Sequence, residues 1–190
     1  MAPTFLEAAG LTPPEEMTGK SLINTFNSDK NGYIDPARDC VVTGMGRHAV
    51  ARIGDVEYPM RAIRTREYLY IINYEPGRWP AGNPELYADI DDSPTKQYMM
   101  DHRDDIGIQR LFNLAFGKRF PEELYVVEEN KVSIDNVADD PAYAEIKKML
   151  CDKLEHILTK QKNPGMEGKG YIFDTYPHYG DMKRLEILKK

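Results

Sequence analysis

The sequence predicts an α+β fold: an antiparallel sheet of about four strands with a long C-terminal helix packed on it. Two patterns carry that expectation. Short runs rich in β-branched and aromatic residues recur between turn-forming polar residues, and one strongly amphipathic segment, from Asp140 to Lys160, follows them. Composition agrees, since 41% of the residues are hydrophobic and 29% charged with no long polar tract, which marks a globular chain. At 190 residues there is enough chain for one ordinary core, burying roughly 70% of the surface exposed when unfolded, or for one domain with a piece of another.

The elements follow in order. Pro3-Thr4-Phe5-Leu6-Glu7-Ala8-Ala9-Gly10 reads as a short helix, with proline in its first turn and glycine set for a left-handed stop. A helix this brief is marginal alone and needs something larger to dock on. Pro13-Pro14 and Gly19-Lys20-Ser21-Leu22 then lead into a polar loop from Asn24 to Arg38. Strands are expected at Cys40 to Thr43, Met60 to Thr65 and Tyr68 to Tyr74; the last is bulky on both faces, which predicts a central strand covered on both sides. The prolines and glycines of Glu75 to Pro84 make a surface loop. Thr95 to Phe116 has apolar residues at helical spacing, closed by Gly117, and Leu124 to Val127 reads as another strand. Asp140-Pro141 opens the strongest helix, capped by the aspartate, with Tyr143, Ile146, Leu150, Leu154, Ile157 and Leu158 as one stripe that should lie across the sheet. Pro164-Gly165 ends it, and Tyr171-Ile172-Phe173 is expected to add an edge strand before the tail frays toward Lys190.

Charge and motifs narrow the chemistry. The net charge of −6 is spread along the chain without an arginine-rich stretch, which argues against nucleic acid as a partner. No apolar run approaches the roughly 20 residues of a membrane helix, and no basic region followed by an apolar stretch marks an export signal at the start. Asn27, Asp29, Asn31, Gly32 and Asp35 imitate a calcium loop, but Arg38 stands where a bidentate glutamate should be, so a polar turn is expected. Gly19-Lys20-Ser21 lacks the first glycine of a phosphate loop, its place being held by Pro14. The pairs Asp91-Asp92, Asp104-Asp105 and Asp139-Asp140 read as caps. Cys40 and Cys151 lack neighbours at ligand spacing and read as buried thiols, with a disulfide as the alternative and no metal site. Among the histidines, His48 stands out because it follows Arg47 between glycines, where a side chain can face a cleft; a plain surface histidine is the rival reading.

The segments Pro3 to Gly10, Pro13 to Met17 and Gly19 to Leu22 resemble the stretch that closes the large catalytic domain of sulfatases, members of the alkaline-phosphatase-like superfamily. Arg61 to Thr65, Tyr68 to Ile71 and Asn73 are similar to the family's paired strands, and Glu123-Leu124-Tyr125 with Asn136 to Pro141 to its late strand and final helix. The resemblance runs in order over about residues 2 to 160. Thr43-Gly44 with Arg47-His48, Tyr58-Pro59-Met60-Arg61 and Glu75 to Pro80 resemble the heparan N-sulfatase-like branch, from which Met45, Gly46 and Val126 depart.

The resemblance implies that residues 1–38 are the tail of an alkaline-phosphatase-like α/β catalytic domain with its connecting loop, and residues 39–190 the C-terminal subdomain. It implies a whole enzyme that cleaves sulfated glycans with calcium and a formylglycine made in a Cys/Ser-x-Pro-x-Arg motif. That motif is absent here, since Cys40 precedes Val41-Val42 and Cys151 precedes Asp152-Lys153, so no catalytic residue, metal ligand or cofactor is expected in this chain. Its expected role is to complete a substrate cleft without being active alone. Arg47, His48, Arg61 and Arg64 are the candidates for contacting an anionic sugar, because guanidinium matches sulfate or carboxylate in bidentate fashion, and Trp79 is the candidate for stacking on a ring. Arginines of a sheet also serve in ion pairs, and a tryptophan in a proline-rich loop also pins that loop. A homo-oligomer through the surface that would meet the catalytic domain is the expected self-association, and a periplasmic, secreted or lysosomal location is implied. The rival readings are a stand-alone glycan-binding or interaction module, and part of a related phosphoester or phosphonate hydrolase.

Overall fold

The computed structural model describes residues 1–127, 134–177 and 179. The chain divides into two units, Met1–Asp39 and Cys40–Lys190. In the first, helix α1 (Ala2–Ala8) ends at Gly10, whose φ of +74° is the left-handed stop. Thr4 is buried and its Oγ1 accepts from the Leu22 amide at 3.0 Å, which ties the following loop back to the helix. The expected polar loop opens with a single helical turn, α2 (Ile23–Phe26), which buries none of its own residues. It closes on Arg38, whose guanidinium meets Asp35 Oδ2 at 3.0 Å and the Ser21 carbonyl at 2.5 Å. The calcium-like turn is therefore bracketed by a cation.

The second unit holds the sheet. Strands β1 (Val41–Met45), β2 (Met60–Arg64), β3 (Tyr68–Asn73) and β4 (Glu122–Val126) pair antiparallel in the order β1-β2-β3-β4. Register places Val42 opposite Ile63, Ile63 opposite Tyr70, and Tyr70 opposite Leu124, so one row of bulky residues crosses the sheet. Helix α5 (Ala144–Lys160) lays Leu150, Leu154 and Leu158 on that row. Ile63, Tyr70, Leu124, Leu150 and Leu154 are fully buried; each such aliphatic side chain contributes roughly 1.5–3 kcal/mol by leaving water. The helix starts as the sequence predicts, with Asp140 Oδ1 accepting from the Ala142 amide at 2.9 Å, although the first turn, Pro141–Tyr143, is wound as a 3-10 helix. This is an α+β architecture with a four-stranded antiparallel sheet and a long helix on one face.

Three expectations are corrected. The Thr95 to Phe116 segment is two helices, α3 (Pro94–Asp101) and α4 (Ile106–Phe116), broken at His102 to Asp105, where Asp104 and Asp105 favour turns over a helix interior. Gly117 is extended (φ −64°, ψ 156°), and it is needed for a different reason: a Cβ there would lie 2.5 Å from the Asn113 carbonyl. The tail at Tyr171 to Phe173 is not an edge strand but leads into a short helix, α6 (Ile172–Thr175), stabilised by the Thr175 hydroxyl donating to the Ile172 carbonyl at 2.7 Å. Residues 178 and 180–190, the rest of the predicted tail, lie outside the described residues. Strand β3 is central as expected, but its second face is only half covered: Leu69 and Ile71 line an open groove with Met45, Met60 and Tyr125. A second apolar cluster, built from Ala81, Tyr87 and Phe116, joins the Glu75 to Pro84 loop to α4.

Candidate functional site

Two clusters of charged residues lie at the end of the sheet, both in the second unit. The first is a cleft of ≈ 480 Å³ between the end of β1 and the loop after α5, lined by Gly44, Gly46, Arg47, Glu57, Arg61 and Phe173 among others. Register puts Arg61 directly opposite Gly44. A Cβ at Gly44 would stand 2.7 Å from Arg61 Cδ, and one at Gly46 2.5 Å from Glu57 Oε2, so the two glycines are the floor on which these side chains lie. Arg61 Nη1 donates to the Met45 and Met60 carbonyls at 3.2 and 2.8 Å, and its guanidinium sits 5.9 Å from the Phe173 ring centroid. Its Nε and Nη2 have no protein acceptor among the described residues.

Arg47 is clamped differently. It pairs with Asp55 at 3.3 Å and donates to the Asp174 and Tyr176 carbonyls, tying the segment around α6 over the cleft. Asp174 Oδ1 accepts from the Glu57 amide at 2.8 Å, and Arg78 Nη1 donates to the Glu57 carbonyl at 2.8 Å. Glu57 is thereby surrounded by arginines, yet burial, and after it the Asp174 carboxylate, holds its proton affinity above the usual carboxylate range against the opposing pull of Arg61, Arg78 and Arg47. The cleft offers guanidinium donors and a carboxyl with raised proton affinity, a set suited to gripping an anion but lacking a nucleophile.

The second cluster surrounds Arg52, which is 3% exposed. Its Nε donates to the Trp79 carbonyl at 2.8 Å and its Nη2 to the Pro80 carbonyl at 2.6 Å and to Asp89 Oδ2 at 2.5 Å. His48, exposed, faces Asp89 through its Nδ1 at 3.4 Å. The Trp79 ring packs edge-on against Tyr87 with centroids 6.2 Å apart, and Lys118 Nζ lies 5.1 Å from its centroid, so the side chain helps hold its own loop onto the second apolar cluster. Arg64 is exposed at the end of β2, two strand positions beyond Ala62 and therefore on the opposite face from Arg61. Of the five residues singled out from sequence, the structure brings Arg47 and Arg61 into one cleft, places His48 and Trp79 in and beside the Arg52 cluster, and leaves Arg64 apart. Glu57, Arg52, Arg78, Asp89 and Asp174 were not foreseen, because nothing in their local spacing marks them; Gly44 inside β1, with Gly46 just past its end, is the signal that could have shown a close approach. Among the described residues no group of three or more His, Cys, Asp or Glu side chains is placed to hold a metal ion.

No protein-family model matches the chain, and no curated protein matches it either. Among solved structures, one that is similar is a 2.40 Å crystal structure described as a "putative sulfatase from Bacteroides thetaiotaomicron VPI-5482", with 18% identity over 96% of this chain and a TM-score of 0.49. The chain spans 27% of that protein's length. A likeness this distant carries no argument about chemistry.

Proposed function

We propose that the chain is the C-terminal portion of a sulfatase acting on sulfated glycans, of the heparan N-sulfatase-like type, and that it contributes a wall of the substrate cleft rather than the reacting groups. The observation that supports this reading is the cleft floored by Gly44 and Gly46, where Arg61, beside Arg47, keeps donors without an acceptor among the described residues, in a chain whose segments resemble that family in order. Sulfate and carboxylate oxygens accept from guanidinium in charge-assisted hydrogen bonds, roughly twice as strong as neutral ones. Hydrolysis of a sulfate ester or sulfamate further requires a nucleophile, a cation on the sulfate oxygens and a proton donor for the leaving group. The chain has no Cys/Ser-x-Pro-x-Arg motif to serve the first.

The test has two parts. Purified chain incubated with N-sulfated glucosamine and with an aryl sulfate should release no sulfate above a heat-killed control, and turnover would refute the proposal. Genomic DNA read upstream of the Met1 codon should encode, in frame, a Cys/Ser-x-Pro-x-Arg motif. An in-frame stop immediately upstream would favour the stand-alone binding module instead.

A further inference from the structure

The geometry points to Asp89, locked by Arg52, as the positioning residue that tethers His48 through Nδ1 and so presents Nε2 at the surface as a fixed hydrogen-bonding group for a sugar hydroxyl or anionic oxygen. The ligand class rests on the glycan reading above; the tether does not.

The case begins with a buried oxygen. Asp89 is 5% exposed, and its Oδ2 is taken by Arg52 Nη2. Its Oδ1 is buried and makes no hydrogen bond within the described protein. The group facing that oxygen is His48 Nδ1, 3.4 Å away, longer than an ideal hydrogen bond. A buried acceptor without a donor costs more than the bond it forgoes, and more still when charged. The imidazole N–H is the donor in reach, so the carboxylate selects the tautomer with its proton on Nδ1.

Both partners are held. Arg52 cannot swing away, because its Nε and Nη2 are also bound to the carbonyls of Trp79 and Pro80. The backbone around His48 is fixed on one side by Arg47 on Asp55 and on the other by the Asn83 amide donating to the Ala51 carbonyl at 2.8 Å. An exposed histidine on a loop would ordinarily sample several rotamers; here a side chain that is 70% exposed has one nitrogen facing a buried carboxylate oxygen. A buried Arg–Asp pair is also a costly way to stabilise a loop, since apolar residues of the same volume often do as well or better. The arrangement makes sense if the free carboxylate oxygen has a task, and holding His48 is that task.

Substituting the aspartate by its amide separates this reading from a purely structural ion pair. In Asp89→Asn, Arg52 claims the amide oxygen and the amide NH2 is turned toward His48. The ring must then accept at Nδ1 and carry its proton on Nε2. With 15N-labelled histidine, long-range 1H–15N spectra of the neutral ring should show the Nδ1–H tautomer for His48 in the unaltered chain and the Nε2–H tautomer in Asp89→Asn, while His102 and His156 keep their patterns. An Nε2–H tautomer in the unaltered chain overturns the proposal, and needs no variant to fold; an unchanged tautomer in a folded Asp89→Asn overturns it as well. Adding an N-sulfated glucosamine disaccharide then tests the ligand class separately. Among the histidine signals, a shift at Nε2 of His48 that is lost in Asp89→Asn supports both readings, whereas the predicted tautomers with no shift at His48 leave the tether standing and remove the glycan as its ligand.

Discussion

Replacing Leu154 by alanine tests how this fold is held together. Leu154 is completely buried at the middle of α5, between Leu150 and Leu158, and all three belong to one cluster with Ile63, Tyr70 and Leu124 of the sheet. Truncation removes buried methyl and methylene groups and leaves a cavity between a helix and a sheet that are both rigid, so little collapse can fill it. Such substitutions cost about 2–5 kcal/mol, and the enclosed position argues for about 3–4. For a domain of this size each kcal/mol lowers the melting temperature by about 2–4 °C, which gives a fall of roughly 6–16 °C. Urea unfolding followed by far-UV circular dichroism should show a lower midpoint with an unchanged slope. Met149→Ala, on the same helix but 55% exposed, is the control and should change stability by no more than about 0.5 kcal/mol. Equal losses for the two variants, or a loss below about 1 kcal/mol for Leu154→Ala, would mean that α5 does not lie on the sheet as described.

Two further outcomes follow from the charged and sulfur groups. Because burial holds Glu57 above its usual 4.5, its contribution to stability is full below that pH and is lost as pH rises through the raised folded value. Glu57→Gln should therefore match the unaltered chain at about pH 4 and exceed it in urea midpoint at about pH 8, and a lower midpoint at the higher pH would show the ionised carboxylate to be stabilising. The Cys151 thiol is pushed up by burial, so at about pH 8 iodoacetamide should modify it more slowly than it modifies glutathione, as read by peptide mass spectrometry. A rate equal to that of glutathione would place the sulfur in open solvent.

The sheet and its helix were legible because each is written in local periodicity: alternation and β-branching in Met60 to Arg64 and Tyr68 to Asn73, and the spacing of Leu150, Leu154 and Leu158. The break between α3 and α4 was less visible, since Ile108, Leu111, Phe112 and Ala115 keep helical spacing and only the aspartates before them mark the interruption. The failed edge strand at Ile172 and Phe173 shows the same limit, because a short apolar pair fits a strand or a helical turn equally well and the outcome was set by distant partners, above all the Glu57 amide on Asp174. The site was legible only in part for a related reason. Arg47, His48 and Arg61 could be picked out as residue types, but Asp89 lies 37 positions from its partner Arg52, and Asp174 is 117 positions from Glu57. Such long-range pairs leave no mark on local spacing, and neither does the difference in face that separates Arg64 from Arg61.

The proposal that this chain forms an anion-gripping wall is tested most directly by titrating the 15N-labelled chain, in low salt, with an N-sulfated glucosamine disaccharide. Saturable shifts centred on Gly44, Gly46 and Arg61 are expected, abolished by Arg61→Ala and preserved by Arg64→Ala. An absence of saturable shifts, or shifts centred on the opposite sheet face around Arg64, would contradict it.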